Sequence, residues 1–425
     1  MTQKYSYRYT RESGHRQRGA TTTSGYQAYS LYGAGESGTT TGPVYDPATY
    51  APGQRATLVR QHVLGGGSSG AVVTGDTYVE VSGGIITTQD GSTAGGSVFG
   101  GGYAGNQNVT GNTHVRIVDG ANISGGVYGG GYAGPLSIQG NVVTGNADTL
   151  IKGGKIGTNI YAGAAGLSRV NGTATVTLKD IAPGDPFATD FTRQILRGGI
   201  GTGGTAHTVF DHQTAPFLGT VGTADNGQMD SIRFVDDTRM DVNPARFHGR
   251  DWLIENGSTV DVVAAGTMSS RTFTNAGLLR LDGPDAPQNL LSTIGGTYVS
   301  QGGTLAMGAT SDEAKNFLEI QQAATLCDAG AFTMTPIPVN NGSFRGTAVL
   351  RSEPHEAGGL TWYIEGVPEE PYTVVVNNGT LPGGLSTDTF YAGDTVELTA
   401  DEPARPTRRT HRATARVSRR PARPR

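Results

Sequence analysis

The sequence predicts an all-β chain. Residues 56–330 read as a single-stranded parallel β-helix, or β-solenoid, with disordered termini and a small β-rich module near the C-terminus. Three observations predict it. A glycine phrase occurs twice, 29 residues apart, as Ser97-Val-Phe-Gly-Gly-Gly-Tyr-Ala-Gly105 and Gly126-Val-Tyr-Gly-Gly-Gly-Tyr-Ala-Gly134, and a degenerate copy follows 32 residues later at Thr158-Asn-Ile-Tyr-Ala-Gly-Ala-Ala-Gly166. A second phrase alternates with it, at Gly75-Asp-Thr-Tyr-Val-Glu-Val81, Gly111-Asn-Thr-His-Val-Arg-Ile117 and Gly172-Thr-Ala-Thr-Val-Thr-Leu178, with a looser version at Gly145-Asn-Ala-Asp-Thr-Leu-Ile151. In that second phrase Val79 and Val81, Val115 and Ile117, and Val176 and Leu178 are apolar at every other position. No part of the repeat shows the i, i+3, i+4 spacing of a helix.

Self-similarity at a period of about 30 residues marks an array whose units cannot build their own cores. Alternation at period two marks a strand with one buried face. Each unit therefore lays its apolar row on that of the next, and stability becomes a sum of unit and interface terms. Glycine and asparagine suit the corners, where φ is often positive. One aromatic per unit (Phe99, Tyr128, Tyr161) is expected to form an internal stack. The glycines of Gly100-x-Gly102-x-x-Gly105 and Gly129-x-Gly131-x-x-Gly134 also fit a dinucleotide-binding pattern. That pattern needs a helix after it, and Asn106-Gln-Asn-Val and Pro135-Leu-Ser-Ile will not start one. These glycines are expected to be structural turns.

Composition agrees. Glycine supplies 67 of 425 residues and charged residues only 16%, against ordinary values near 7% and 25%. The formal charge of -4 hides an asymmetry: residues 403–425 hold nine arginines and no acid, so the preceding 402 residues carry -13. An acidic body argues against a nucleic-acid partner. A single cysteine, Cys327, allows no internal disulfide. No apolar run reaches the length of a transmembrane helix, so no membrane insertion is expected. The N-terminal segment, Met1-Thr-Gln-Lys-Tyr-Ser-Tyr-Arg-Tyr, lacks the apolar core of a signal peptide. Export then requires a start upstream of Met1 or another route.

Residues 1–55 are rich in Gly, Ser, Thr and Tyr and poor in aliphatics, so a disordered arm is expected. Beyond the glycine repeat, alternation continues at Ser231-Ile-Arg-Phe-Val235, Ser258-Thr-Val-Asp-Val-Val263, Leu278-Leu-Arg-Leu281 and Gly296-Thr-Tyr-Val299. Asp312-Glu-Ala-Lys-Asn-Phe-Leu-Glu-Ile320 reads as a helix capping the stack, since an open end exposes strand edges. Residues 331–370 read as short strands and linker. The tail, 403–425, is expected to be disordered. It fits contact with an acidic surface or nucleic acid, a linker, or a coding region read in another frame.

These phrases carry a resemblance. The alternation of glycine turns with Gly-Asn-Thr-x-Val-x-Ile strands resembles the β-helical repeats of large, adhesin-like bacterial surface proteins, and Ile254-Glu-Asn-Gly-Ser and Phe273-Thr-Asn-Ala-Gly-Leu-Leu-Arg-Leu-Asp-Gly283 are similar to passenger-type β-helices. Tyr372-Thr-Val-Val-Val with Phe390-Tyr-Ala-Gly-Asp-Thr-Val-Glu-Leu-Thr-Ala400 resembles the start of an internalin-type B-repeat, a β-grasp-like module, over residues 371–402. The matching positions are Tyr372, Val374, Tyr391, Gly393, Asp394, Val396 and Leu398; the closing Phe and Trp segment of that family is absent. The resemblance implies a secreted or cell-surface, non-enzymatic protein whose partners are host or environmental glycans or surface proteins.

Parallel β-helices also carry polysaccharide hydrolases and lyases, and a passive stalk is a third alternative. Asp236-Asp237 and His248-Gly249 faintly resemble the carboxylate and histidine motifs of polygalacturonases, where paired carboxylates protonate the leaving oxygen and activate water. The flanking Asn-Thr-Asp and Arg-Ile-Lys motifs are missing. Lyase chemistry would need a Lys or Arg base, and lysine is scarce in the glycine repeat (Lys152, Lys155, Lys179). Asp225-Asn-Gly-Gln-Met-Asp230 and Asp236-Asp237 are the acid groupings that calcium would use, and neither fits a known calcium loop. No residue is assigned as catalytic, cofactor-binding or metal-ligating.

Overall fold

A computed structural model of the chain describes residues 62–321, apart from 68–71, 82, 88–95, 119, 186, 188–192, 282, 284, 287–289, 307–308, 312–313 and 316. It also describes 27–28, 31–32, 58–59, 337–341, 344–354, 360–368, 370–377, 379–385, 387–390, 394–400 and 412–416. Two compact units result: Met1–Gly308 with Ala314–Met334 and Leu350–Ile364, and Ala309–Glu313 with Thr335–Val349 and Glu365–Arg425.

The first unit is all-β and built on parallel sheets. Its largest has nine strands: β1 (Thr77–Val81), β2 (Thr113–Val118), β3 (Ala147–Lys152), β4 (Thr173–Lys179), β5 (Thr205–Asp211), β6 (Met229–Val235), β7 (Gly249–Ile254), β8 (Thr272–Asn275) and β9 (Thr297–Ser300). Each pairs in parallel with the next in sequence. The register stacks like positions of successive repeats. One buried row runs Val79, Val115, Thr149, Val176, Thr208, Ile232, Trp252, Phe273, Tyr298. Beside it, Val81, Ile117, Ile151, Leu178, Phe210, Phe234 and Ile254 form a second. The predicted alternation is thus a buried face, at about 1.5–3 kcal/mol for each large apolar side chain removed from water.

Further parallel sheets line the same unit. One joins Leu31–Tyr32, His62–Leu64, Ser97–Phe99, Val127–Tyr128, Ile160–Tyr161, Gln194–Leu196 and Thr220–Val221. Another joins Arg239–Val242, Thr259–Val262, Leu278–Arg280 and Thr304–Ala306.

The triple glycines close the turns between sheets, and the reason is crowding rather than φ. A Cβ on Gly100 would lie 2.1 Å from the Gly129 carbonyl oxygen, and one on Gly129 would lie 2.2 Å from that of Ala162. The two repeated phrases meet here: Thr77 Oγ1 donates to the Gly100 carbonyl at 2.7 Å, and Thr113 Oγ1 to that of Gly129 at 2.6 Å. The residue before each threonine links the repeats along the stack. Asp76 accepts from the Asn112 N–H (2.7 Å), Asn112 from that of Asn146 (2.8 Å), and Asn146 from that of Thr173 (2.9 Å). No dinucleotide cradle remains, because strands rather than a helix follow each glycine turn.

Three expectations are corrected. The helix over 312–320 is absent: Ala314–Lys315 and Phe317–Ile320 are strands, the latter parallel to Leu291–Ile294 and antiparallel to Leu360–Tyr363. Pairing on both sides of 317–320 outweighs a local helix preference worth only tenths of a kcal/mol per residue. Within the arm, Gln27–Ala28 pairs with Leu58–Val59, and Leu31–Tyr32 pairs with Val63–Leu64; the rest of 1–55 lies outside the described residues. In the tail, Arg412–Arg416 pairs antiparallel with Thr395–Thr399, and the rest of 403–425 lies outside the described residues. In that register Ala413 and Ala415 stand opposite Leu398 and Val396.

The second unit is antiparallel where described. Ile337–Asn341 pairs with Phe344–Ala348, and Tyr372–Val375 with Thr387–Phe390. Of the B-repeat-like positions, Val396 is buried, while Tyr391 and Gly393 lie outside the described residues, as does Cys327.

Candidate functional site

The outer surface over residues 97–161 carries an aromatic column. In strands 97–99, 127–128 and 160–161, Val98, Val127 and Ile160 take the inward positions and are fully buried. Tyr128 and Tyr161, half-buried, therefore face outward, while Phe99 in the same column is buried among the rings of His62, Tyr103 and Tyr128. Phe99 and Tyr128 stack at 4.6 Å and 20°, Tyr128 and Tyr161 at 4.7 Å and 6°. The predicted stack exists, but it stands on the outside. A second column follows each glycine turn, with Tyr103 on Tyr132 at 5.7 Å and 20°. The columns touch across the turn, Phe99 to Tyr103 at 5.4 Å and Tyr128 to Tyr132 at 6.1 Å. Rings stacked along the chain repeat turn their edges to solvent rather than their faces.

The electrostatics of this face are neutral. Residues 91–113, 120–147 and 156–168 contain no Asp, Glu, Lys, Arg or His. Burial, and then the neighbouring Tyr161, Tyr132 and Tyr103, push the Tyr128 phenol up, so its hydroxyl stays a donor. His62 leans on Phe99 and Tyr103 (5.4 and 4.4 Å), and burial lowers its pKa to about 4, so it too is neutral. The loop that follows the second column adds Leu136 and Ile138, each 98% exposed. Ser137 holds the loop in place, its N–H on the Gly134 carbonyl at 3.0 Å and its hydroxyl on that of Ala104 at 3.2 Å.

Elsewhere charges are paired between neighbouring repeats. Lys152 meets Asp180 at 2.8 Å, Lys179 meets Asp211 at 2.7 Å, Arg233 meets Glu255 at 2.6 Å, and Arg280 meets Asp261 at 3.3 Å.

The polygalacturonase-like residues do not converge. Asp236 and Asp237 sit in the turn after β6 with φ of 50° and 59°. His248 lies at the opposite end, its carbonyl accepting from the Met229 N–H at 2.9 Å. The length of β6, roughly 20 Å, separates them, too far for two groups on one glycosidic bond. Of the calcium candidates, Asp230 is already held by Arg197 (2.9 Å), Arg250 (3.3 Å) and the Ala206 N–H (2.7 Å). Among the described residues no three His, Cys, Asp or Glu side chains gather as metal ligands.

One polar cluster escaped sequence reasoning. In β6 both Asp230 and Ser231 leave the buried face, between Met229 and Ile232, and β7 repeats the break at Arg250 and Asp251. The two strands stay in register through the break, with Met229 opposite Gly249 and Ser231 opposite Asp251. Ser231 Oγ lies 2.7 Å from His207 Nδ1, and His207 Nε2 lies 2.9 Å from Thr205 Oγ1. Burial lowers the His207 pKa. Asp230 and Asp251 oppose that shift, while Arg233 and Arg197 reinforce it.

No protein-family model matches this chain, and no curated protein or solved structure is similar to it. No helix of the described residues is long and apolar enough to cross a membrane.

Proposed function

We propose that the parallel sheets of the first unit are the faces of a single β-solenoid, and that the chain is an extracellular, adhesin-like surface protein that binds uncharged glycans or another neutral surface without cleaving them. One observation carries the reading. Residues 91–113, 120–147 and 156–168 contain no Asp, Glu, Lys, Arg or His, and among them lie stacked, half-buried tyrosines and two almost fully exposed aliphatics, while elsewhere several charges are paired between neighbouring repeats. Hydroxyl edges repeated once per strand spacing suit a polymer whose own hydroxyls repeat. Each contact is weak, so affinity comes from many contacts made together. The wide separation of Asp236 and Asp237 from His248 favours this reading over polysaccharide cleavage.

The test is incubation of the full chain with a panel of neutral and acidic polysaccharides, scoring retention and new reducing or unsaturated ends together. Retention on neutral polymers without new ends is expected. New ends would overturn the reading in favour of an enzyme. Neither signal would leave a passive stalk.

A further inference from the structure

We propose that Ser231 is a nucleophile, with His207 as its base, acting on carboxylic esters. This goes beyond the binding reading and does not depend on it.

The geometry is a directed chain across three adjacent strands. Thr173 and Thr205 are register partners on β4 and β5, and His207 and Ser231 are partners on β5 and β6. Thr205 Oγ1 donates to Thr173 Oγ1 at 3.3 Å. Its lone pairs are then free for the Nε2–H of His207 at 2.9 Å. That leaves Nδ1 as the bare nitrogen, and the Ser231 hydroxyl donates to it at 2.7 Å. A nucleophile within hydrogen-bond reach of a base, with the base oriented by a third group, is the arrangement that activates a serine. Ser231 and His207 lie on the partly exposed face of the sheet, next to the buried Ile232 and Thr208. The charged groups acting on the imidazole are Asp230, Arg233, Asp251 and Arg197, and with burial they leave it neutral at neutral pH, the state a general base requires.

In the reaction, Ser231 Oγ bonds to the ester carbonyl carbon as its proton passes to His207 Nδ1. The C–O bond to the alcohol then breaks, and the alcohol leaves with that proton. Water, deprotonated by the same imidazole, cleaves the acyl-serine and releases a carboxylic acid.

The experiment treats the full chain with a biotinylated fluorophosphonate and maps adducts by mass spectrometry. Here the Oγ–P bond forms, fluoride leaves and His207 takes the proton. The expected result is an adduct on Ser231, absent in Ser231→Ala and formed roughly 100-fold more slowly in His207→Gln. The wild-type rate should rise with pH through a midpoint below that of an ordinary histidine. Absence of an adduct on Ser231, or equal labelling in a His207→Gln variant with wild-type melting, overturns the proposal. If that variant does not fold, a wild-type rate without a histidine inflection overturns it. Retention on glycans is a separate readout that neither variant should alter.

Discussion

The same inward row is built in two ways. From β1 to β4 it is Val79, Val115, Thr149 and Val176; from β7 to β9 it is Trp252, Phe273 and Tyr298. In the first region the tyrosine rings stand outside, as Tyr128 and Tyr161, stacked on a buried Phe99. In the second the rings stack inside, with Trp252 on Phe273 at 5.8 Å and Phe273 on Tyr298 at 5.9 Å. The glycine turns explain the difference. A Cβ on Gly100 would lie 2.9 Å from the Thr113 Cβ, so turn and strand already touch and leave no space for a ring. The second region lacks the triple glycines, and its interior takes aromatic volume instead. Interiors are packed to one density, so turn chemistry decides on which side of the wall the aromatics sit.

If the interior of the glycine region is as dry as its small side chains imply, a charge there should do the most damage. Val115 is buried between Val79 and Thr149. Val115→Asp should cost at least about 4 kcal/mol, the range reached by unpaired buried charges, and abolish the cooperative thermal transition of the first unit. An unchanged melt would mean that the row is not interior.

The next test sets the two columns against each other. Phe273→Ala removes a fully buried ring and should cost about 3–5 kcal/mol. Tyr128→Ala removes a half-buried outer ring stacked on two others, and should cost about 1 kcal/mol, the scale of aromatic pairing alone. Denaturant midpoints of both variants check this. Equal losses would erase the distinction between outer and inner columns.

How much of this was legible depends on range. Alternation in 77–81, 113–118 and 173–178 is local and names its own buried face. In Val98-Phe99 and Val127-Tyr128 two apolar residues adjoin, and period two does not say which points inward. Gly100 and Gly129 were legible as turns, but their necessity comes from carbonyls one repeat away. The helix expected at 312–320 rested on local composition, which pairing to 291–294 and 360–363 outweighs. The contact of Ser231 with His207 depends on strand register, which leaves no mark in sequence. The uncharged stretches, 91–113 and 120–147, were visible in the sequence; the second column they carry, Tyr103 on Tyr132, was not.

The last test concerns the histidine beside the outer column. The His62 pKa falls from 6.5 to about 4 because burial penalises the imidazolium. The unfolded chain therefore takes up a proton as pH drops through 6.5, while the folded chain resists until about 4. The stabilisation is complete above pH 6.5 and is lost progressively between 6.5 and 4, reaching roughly 3 kcal/mol at the lower limit. His207 in β5 and His248 just before β7, also lowered by burial, contribute with the same sign. His62→Phe keeps a ring against Phe99 and Tyr103 and removes the titration. Its melting temperature should fall less than that of the wild type between pH 7 and pH 4.5. Equal slopes would assign the acid sensitivity to His207 and His248, and leave the neutral outer face of the first region without a pH response of its own.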